Sequence, residues 1–250
     1  MPKVSIITAT YNSEEEIVKT YESIRNQSYE DWEWLVTDDC SSDNTFTILK
    51  KIRDQDSRVR IFKNSVNSGA AVSRNNSISN VTGEFVAFLD SDDIWMPDKL
   101  SIQLGFMEDN KVDFSFTSYE LIGENGELLQ KQVDKNQSGS FSYHDMLRKK
   151  ATLGCSTVML RGSAFKDIYM PLIRTGQDYA TWLKLLKTGK NAYIINTILT
   201  QYRIMPNSIS RNKFKKSKRQ WQIYRNIEKL NLPYSIYCFA LYAWRAVFRK

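Results

Sequence analysis

Short apolar runs alternate with amphipathic stretches through the first ninety residues. Val4-Ser5-Ile6-Ile7-Thr8 predicts a strand that ends at Ala9-Thr10-Tyr11-Asn12. Ser13 with Glu16 three residues later is a capping-box signature, predicting a helix to about Gln27. Trp32–Thr37 predicts a second strand, after which Ser41-Ser42-Asp43-Asn44 turns into a helix through about Asp54. Val59–Lys63 reads as a third strand, and Gly69–Ser79 as a third helix with Ala70, Ala71 and Ile78 inward. The fourth strand, Phe85-Val86-Ala87-Phe88-Leu89, is apolar at every position, the pattern of a strand buried on both faces. Three carboxylates follow it at once, Asp90, Asp92 and Asp93, and Pro97 then opens another helix.

Strands alternating with helices at this spacing predict βαβ units and a parallel sheet. Tyr11, Asp38-Asp39 and Asp90–Asp93 then stand at one edge of that sheet, where open α/β folds bind ligands. Past Asp109 the rhythm changes. Phe114–Tyr119 predicts a strand, Glu124-Asn125-Gly126-Glu127 a hairpin turn, and Ser140–Lys150 a short surface helix. Cys155–Leu160 predicts a strand, and Asp178–Lys187 a helix burying Trp182, Leu183, Leu185 and Leu186. Ala192–Ile195 and Ile198–Arg203 read as two further short strands.

Composition narrows the class. A chain of 250 residues that is 42% hydrophobic and 25% charged has the make-up of a soluble globular protein with a sizeable core. Cys40, Cys155 and Cys238 are widely spaced and odd in number, which fits neither a disulfide framework nor a zinc site and points to a reducing compartment. No signal peptide is expected, because the apolar run Val4–Ile7 is short and acidic residues follow it. No stretch has the roughly 18 apolar residues that a membrane-spanning helix needs. The net charge of +7 is unevenly spread. Residues 201–250 hold 12 Lys and Arg against the single acid Glu228, whereas the remaining residues are mildly acidic.

The clustered carboxylates at Asp90–Asp93 carry the first chemical signal. Unpaired carboxylates are costly to bury, so they belong in a crevice with a cation, and oxygen-only ligands select a hard ion such as Mg²⁺ or Mn²⁺. An acidic loop that caps the next helix is the plainer reading of the same residues. A dinucleotide fold wants Gly-x-Gly-x-x-Gly after the first strand, and Thr8-Ala9-Thr10-Tyr11-Asn12 contains no glycine. A Gly-Lys-Ser/Thr phosphate loop is also missing from the sequence.

Taken together, Thr10-Tyr11-Asn12, Asp38-Asp39-x-Ser41-x-Asp43, Asn67-x-Gly69 with Ser73-Arg74-Asn75, and Gly83-Glu84 with Leu89-Asp90-Ser91-Asp92-Asp93 resemble a known family. Their order and spacing are similar to those of the family-two inverting glycosyltransferases of the GT-A fold, in particular bacterial enzymes that build O-antigen, capsule or teichuronic acid. The resemblance covers most of residues 3–210. It implies an α/β fold: a Rossmann-like mixed sheet flanked by helices at 1–210, with a basic, aromatic helical extension at 211–250.

The same resemblance implies site roles. Tyr11 would stack on uracil, and Asp39, with Asp38 beside it, would accept a hydrogen bond from the base; Tyr11 as a plain loop aromatic is the alternative. Asp90 would hold ribose or metal, Asp92 the metal, and Asp93 either ligates or caps the following helix. Arg74 would contact nucleotide or phosphate, or else lie solvated on the helix surface. The family's catalytic base maps onto Asp178 at a helix start, where it also reads as an N-cap, and Gln177 stands where relatives carry Glu. Met205 replaces the histidine of many relatives and is a poor ligand for a hard ion; Arg203, Asn207 and Ser208 would close over the diphosphate. His144, the only histidine, carries no expected role.

In the tail, Arg211, Lys213, Lys215, Lys216, Lys218 and Arg219 precede an aromatic-rich helix at Tyr234–Phe248. An interfacial helix on anionic lipid is the preferred reading, over a nucleic-acid patch and over a helix pair packed on the domain. The expectation is a metal-dependent (Mn²⁺ or Mg²⁺) inverting transferase. It moves a hexose from a UDP-sugar, UDP-glucose foremost, to a lipid-diphosphate-linked saccharide at the cytoplasmic membrane face, without binding nucleic acid. A nucleotide-sugar-binding regulator that has lost catalysis and a basic nucleic-acid-binding protein are the alternatives.

Overall fold

A computed structural model of the chain describes residues 1–204 and 213–248. The first half is built as the hydrophobic pattern predicts. β1 (Val4–Thr10), β2 (Trp32–Asp38), β3 (Val59–Lys63) and β4 (Phe85–Phe88) alternate with α1 (Ile17–Arg25), α2 (Thr45–Gln55) and α3 (Ala70–Ile78). β1 lies between β2 and β4 in parallel register, Thr10 opposite Asp38 and Ile7 opposite Phe88. The carboxylates that end β2 and β4 are therefore brought to the same edge as Tyr11.

After β4 come β5 (Ile94–Trp95), α4 (Lys99–Asp109), β6 (Phe114–Ile122), β7 (Leu128–Val133), β8 (Ser140–Phe141), α5 (Tyr143–Leu147) and β9 (Met159–Arg161). They are followed by α6 (Gln177–Leu186), β10 (Ala192–Arg203), α7 (Lys213–Gln222) and α8 (Leu232–Phe248). All ten strands join one mixed sheet with the main order β3-β2-β1-β4-β9-β6-β10-β5. β9 runs antiparallel to both β4 and β6 and so links the parallel half to the mixed half.

Alternate side chains on the central strands feed two cores. Val4, Ile6, Trp34, Val36, Phe85 and Ala87 pack under α1, α2 and α4, while Ile7, Leu35, Val86 and Phe88 face α3 and α6. Phe88 and Phe114 meet the ring of Trp182 edge-on, which fixes α6 on the sheet. Ile223, Tyr224 and Cys238 from the C-terminal helices are buried in this second core, and the Tyr224 hydroxyl donates to the Leu147 carbonyl. The tail is packed against the sheet domain.

Several local expectations are revised. Ile17 N–H bonds the Ser13 carbonyl, but the Ser13 side chain meets Ser91 and no side chain caps α1, so Ser13 and Glu16 make no capping box. The stretch 140–150 opens as a strand: Ser140 and Phe141 pair with β10, and the helix starts one residue past Ser142, which does make a capping box with Asp145. That helix buries Met146 and Leu147 and is not a surface element. Cys155–Thr157 forms a 3₁₀ turn before β9, and the two strands expected at 192–203 are one, with bulges at Ile195 and Ile198.

Candidate active site

The donor edge is organised from the strand ends outward. Tyr11 leaves β1 with 48% of its surface exposed, and the chain turns back through Asn12 in the left-handed region at φ 48°. The Asn12 side chain accepts from Ser42 N–H at 2.9 Å while its own N–H donates to Ser41 Oγ at 3.0 Å, so the loops after β1 and β2 are tied together. Asp38 is fully buried and accepts from Ser41 N–H, and its Oδ1 has no protein partner among the described residues. Asp39 accepts from the N–H groups of Ser68 and Gly69 at 2.8 and 2.7 Å and from Asn64. Gly69 takes φ 89° to make this turn, a conformation that favours glycine, and α3 begins at the next residue.

α3 delivers Arg74 to the carboxylates. It is 7% exposed and its Nη2 donates to Asp90 Oδ1 at 2.5 Å, which removes the solvated-surface alternative. Burial opposes its charge, but Asp90, then Cys155 and Asp178, more than offset this, so its pKa stands above the ordinary arginine value. Asp178 also acts, together with Arg74 and Asp90, on the buried Cys155 thiol, whose pKa is pushed up mainly by burial. The buried guanidinium is thus paired with Asp90, and the charge of Asp178, far away in sequence, acts on it as well.

Asp93 does not cap the next helix. It is 1% exposed, and its oxygens accept from Ser156 Oγ at 2.5 Å and from Arg203 N–H at 2.8 Å. Ser156 Oγ in turn receives Asp90 N–H, so this hydroxyl stitches both ends of the acidic loop. Arg203, at the end of β10, donates from Nε to the Asp92 carbonyl and from Nη1 to the carbonyls of Gly123 and Glu124 in the β6–β7 turn. Burial and the Asp90 charge push the Asp92 pKa up to about 6, and burial followed by Asp92 and Asp90 pushes that of Asp93 well above its usual range. A cation at this loop would reverse that pressure.

Asp178 sits in the first turn of α6. The N-cap is Gly176 in the left-handed conformation, so Asp178 is not a cap. The loop before it is clamped to α3: Asn75 Nδ2 donates to the Met170 carbonyl at 2.8 Å, and Met170 N–H donates to Asn75 Oδ1 at 2.7 Å. Neither Asn75 nor Ser156 stands out in the sequence as a positioning group; the one signal is that Asn75 follows Arg74 in the same motif. His144 bonds the Tyr234 hydroxyl and joins α5 to α8. Met205, Asn207, Ser208 and Arg211 lie outside the described residues.

Residues 5–168 match the sequence pattern of glycosyl transferase family 2. The chain belongs to that family. This glycosyltransferase is 44% identical over 249 residues to a putative teichuronic acid biosynthesis glycosyltransferase, TuaG of Bacillus subtilis, covering 100% of this chain and 98% of the relative. It is 39% identical over 222 residues to WfgD of Escherichia coli, a UDP-Glc:alpha-D-GlcNAc-diphosphoundecaprenol beta-1,3-glucosyltransferase, covering 88% and 84% of the two chains. Its fold is that of the mannosyltransferase PcManGT of Pyrobaculum calidifontis, solved with GDP-Man and Mn²⁺, with a TM-score of 0.73 at 16% identity over 99% of this chain and 70% of that one. The GT-A-like α/β architecture and the glycosyltransferase class expected from the motifs are both shown.

Proposed function

We propose that this glycosyltransferase moves a hexose, with UDP-glucose the leading donor, to a lipid-diphosphate-linked saccharide in surface-polysaccharide synthesis, inverting the anomeric centre. The observation that carries the reading is the buried Arg74 paired with the donor-edge carboxylate Asp90, next to an acidic loop that Ser156 and Arg203 hold in place, with the Asp178 charge also acting on Arg74. The printed activity of the WfgD relative supports the choice of donor and acceptor. Residues 1–210 form the catalytic unit in this reading, and 211–250 an extension packed on it.

Tyr11 offers its exposed ring to uracil, and the buried Asp38 with Asp39 lines the base and ribose side. Arg74 holds Asp90 in place and carries positive charge toward the donor, while Arg203 braces the Asp92 loop from behind. Asp90 and Asp92 fit a hard divalent ion that keeps waters and takes its other ligands from substrate phosphate, as Mg²⁺ commonly does. Such an ion, Mn²⁺ or Mg²⁺, when bound, supplies charge neutralisation to the departing diphosphate. The Asp178 carboxylate accepts the proton of the acceptor hydroxyl. That oxygen forms a bond to the anomeric carbon as the bond to the diphosphate breaks, so an α-linked donor gives a β-linked product and UDP.

No helix among the described residues is long and apolar enough to cross a membrane. Peripheral contact with anionic lipid at the cytoplasmic face is supported by α8, which turns Leu232, Ile236, Tyr237 and Trp244 outward, each at least half exposed. Transfer from a panel of UDP-sugars to a synthetic GlcNAc-diphosphate-lipid tests the function, with the product linkage read by NMR. UDP binding without transfer from any donor would leave a regulator, and salt-dependent DNA retention a nucleic-acid-binding protein. Asp92→Asn is expected to lower turnover by orders of magnitude in a folded protein; full wild-type activity in excess EDTA would remove the metal from the scheme.

A further inference from the structure

α7 brings a set of cations to the base that the donor chemistry does not use. The Arg219 side chain crosses the start of α6: a methyl group placed on Gly176 would stand 2.8 Å from Arg219 Cδ and 3.2 Å from Ile223 Cδ1. Gly176 takes φ 75° there, so glycine serves both the turn and the close passage of the arginine stem. Two residues on is Asp178. The Arg219 Nε is buried and has no hydrogen-bond partner among the described residues. A buried N–H of a charged group left without an acceptor is costly, and such groups ordinarily have one.

Arg219 is not isolated. Lys216 lies one helical turn before it on the same face of α7, and the charge of Lys131 on β7 acts on Lys216. The Lys216 pKa is lowered, by desolvation first and then by the charges of Arg219 and Lys131. On Arg219, burial lowers the pKa and Asp178 is the carboxylate that opposes this. Like charges from two elements of the fold therefore act on Lys216, and Arg219, one turn on, passes over Gly176 at the start of α6, two residues before the proposed base. Mutual repulsion of this kind is relieved by a polyanion.

We propose that Arg219, Lys216 and Lys131 form the binding site for the diphosphate of the acceptor. This rests on the lipid-diphosphate acceptor reading given above. The donor diphosphate is assigned to the Asp90–Asp92 loop, so the cations on α7 and β7 are left for a second phosphate group. Their position suits that role, because the first sugar of the acceptor hangs from its diphosphate and its hydroxyl must reach Asp178. A planar guanidinium and two ammonium groups match a diphosphate in charge and in donor geometry. A phospholipid headgroup presents the same phosphate chemistry, so the test has to tell the two apart.

The full chain is assayed with UDP-glucose and two short-chain, water-soluble acceptors, a GlcNAc-diphosphate-alkyl compound and the GlcNAc alkyl glycoside without the diphosphate, in the absence of vesicles. Arg219→Gln and Lys216→Gln are each expected to raise KM for the diphosphate acceptor by roughly 10- to 100-fold, the usual loss for a charge-assisted hydrogen bond. KM for UDP-glucose should hold, the diphosphate-free acceptor should lose nothing further, and Arg219→Lys should recover part of the affinity. Equal losses with both acceptors would make the cluster structural and overturn the proposal, as would no loss with either. An effect seen only after adding phosphatidylglycerol vesicles would assign the cations to the membrane and also overturn it. Should the wild type transfer to neither acceptor, the acceptor reading fails on its own account. Inorganic pyrophosphate titrated onto UDP-saturated protein then decides the subsite, with wild-type binding lost in Arg219→Gln supporting it and no binding overturning it.

Discussion

The two halves of the sheet place functional groups by different means. In the parallel half, β3-β2-β1-β4, consecutive strands are joined by helical crossovers, and the parallel direction of all four brings Tyr11, Asp38-Asp39 and Asp90 to one edge. In the mixed half, β9-β6-β10-β5, partners meet across long stretches of chain, and the pairings are antiparallel except for β6 with β10. Asp178 is not at a strand end there. It is set by a loop that Asn75 clamps to α3, by Trp182 packed on Phe88 and Phe114, and by the Arg219 stem lying over Gly176. Donor chemistry is thus written into strand ends, whereas the base and the acceptor side depend on long-range packing. Changes in the second half should consequently disturb geometry and stability together, and changes in the first should disturb binding in a fold that persists.

Removing the tail probes this difference most severely. Truncation after Asn212 takes away Ile223, Tyr224 and Cys238, which are buried in the core shared with α5 and α6. The shortened protein is expected to aggregate or to lose its cooperative thermal transition. A soluble truncated protein with normal melting would show that the mixed half stands without its extension. Asp178→Asn is next in size. It keeps the shape of the side chain and removes the basic lone pair, so turnover should fall by roughly 10² to 10⁴ with UDP affinity and melting temperature unchanged. Near-normal turnover would send the search for the base to Asp167 and Glu124.

Asn75→Ala sharpens the comparison, because Asn75 belongs to the parallel half while its two hydrogen bonds serve the other. Loss of the Met170 clamp should lower kcat about tenfold through misplacement of the α6 start, while UDP binding measured by calorimetry holds. A change in UDP affinity of similar size would make Asn75 a donor-site residue instead. The smallest effect concerns Lys99, fully buried at the start of α4, with its ammonium 3.8 Å from the Trp95 ring centroid and no hydrogen-bond partner among the described residues. Burial drives its pKa well below the ordinary lysine value. The unfolded chain therefore binds the extra proton more readily, and stability should rise with pH from the folded pKa up to about 10.4. Lys99→Met should raise stability by about 1 kcal/mol at neutral pH and flatten that rise, both read from denaturant melts; a loss of stability would show that the Trp95 contact outweighs burial.

The strands of the first half were legible because short apolar runs alternate there with helical stretches, and Phe85–Leu89 announced a doubly buried strand by its unbroken apolar run. Asp90 and Asp92 could be picked out because carboxylates directly after such a strand have few structural uses. Phe141 was not legible as strand, since its pairing to Ala192 is what makes it one. Asp93 carried no sign that its oxygens would be taken by Ser156 and the Arg203 backbone, partners 63 and 110 residues away.

By itself, then, the sequence determined the parallel α/β half, the acidic edge, the family and the asymmetric charge, because all four follow from local pattern and order along the chain. Only the tertiary structure decided that Ile223, Tyr224 and Cys238 of the tail are buried in the core, that Arg74 pairs with Asp90, and that the Arg219 stem lies over the start of α6. These are meetings of residues far apart in sequence. Their cost in chain entropy is met by the packing of the whole domain, and no local signal records it.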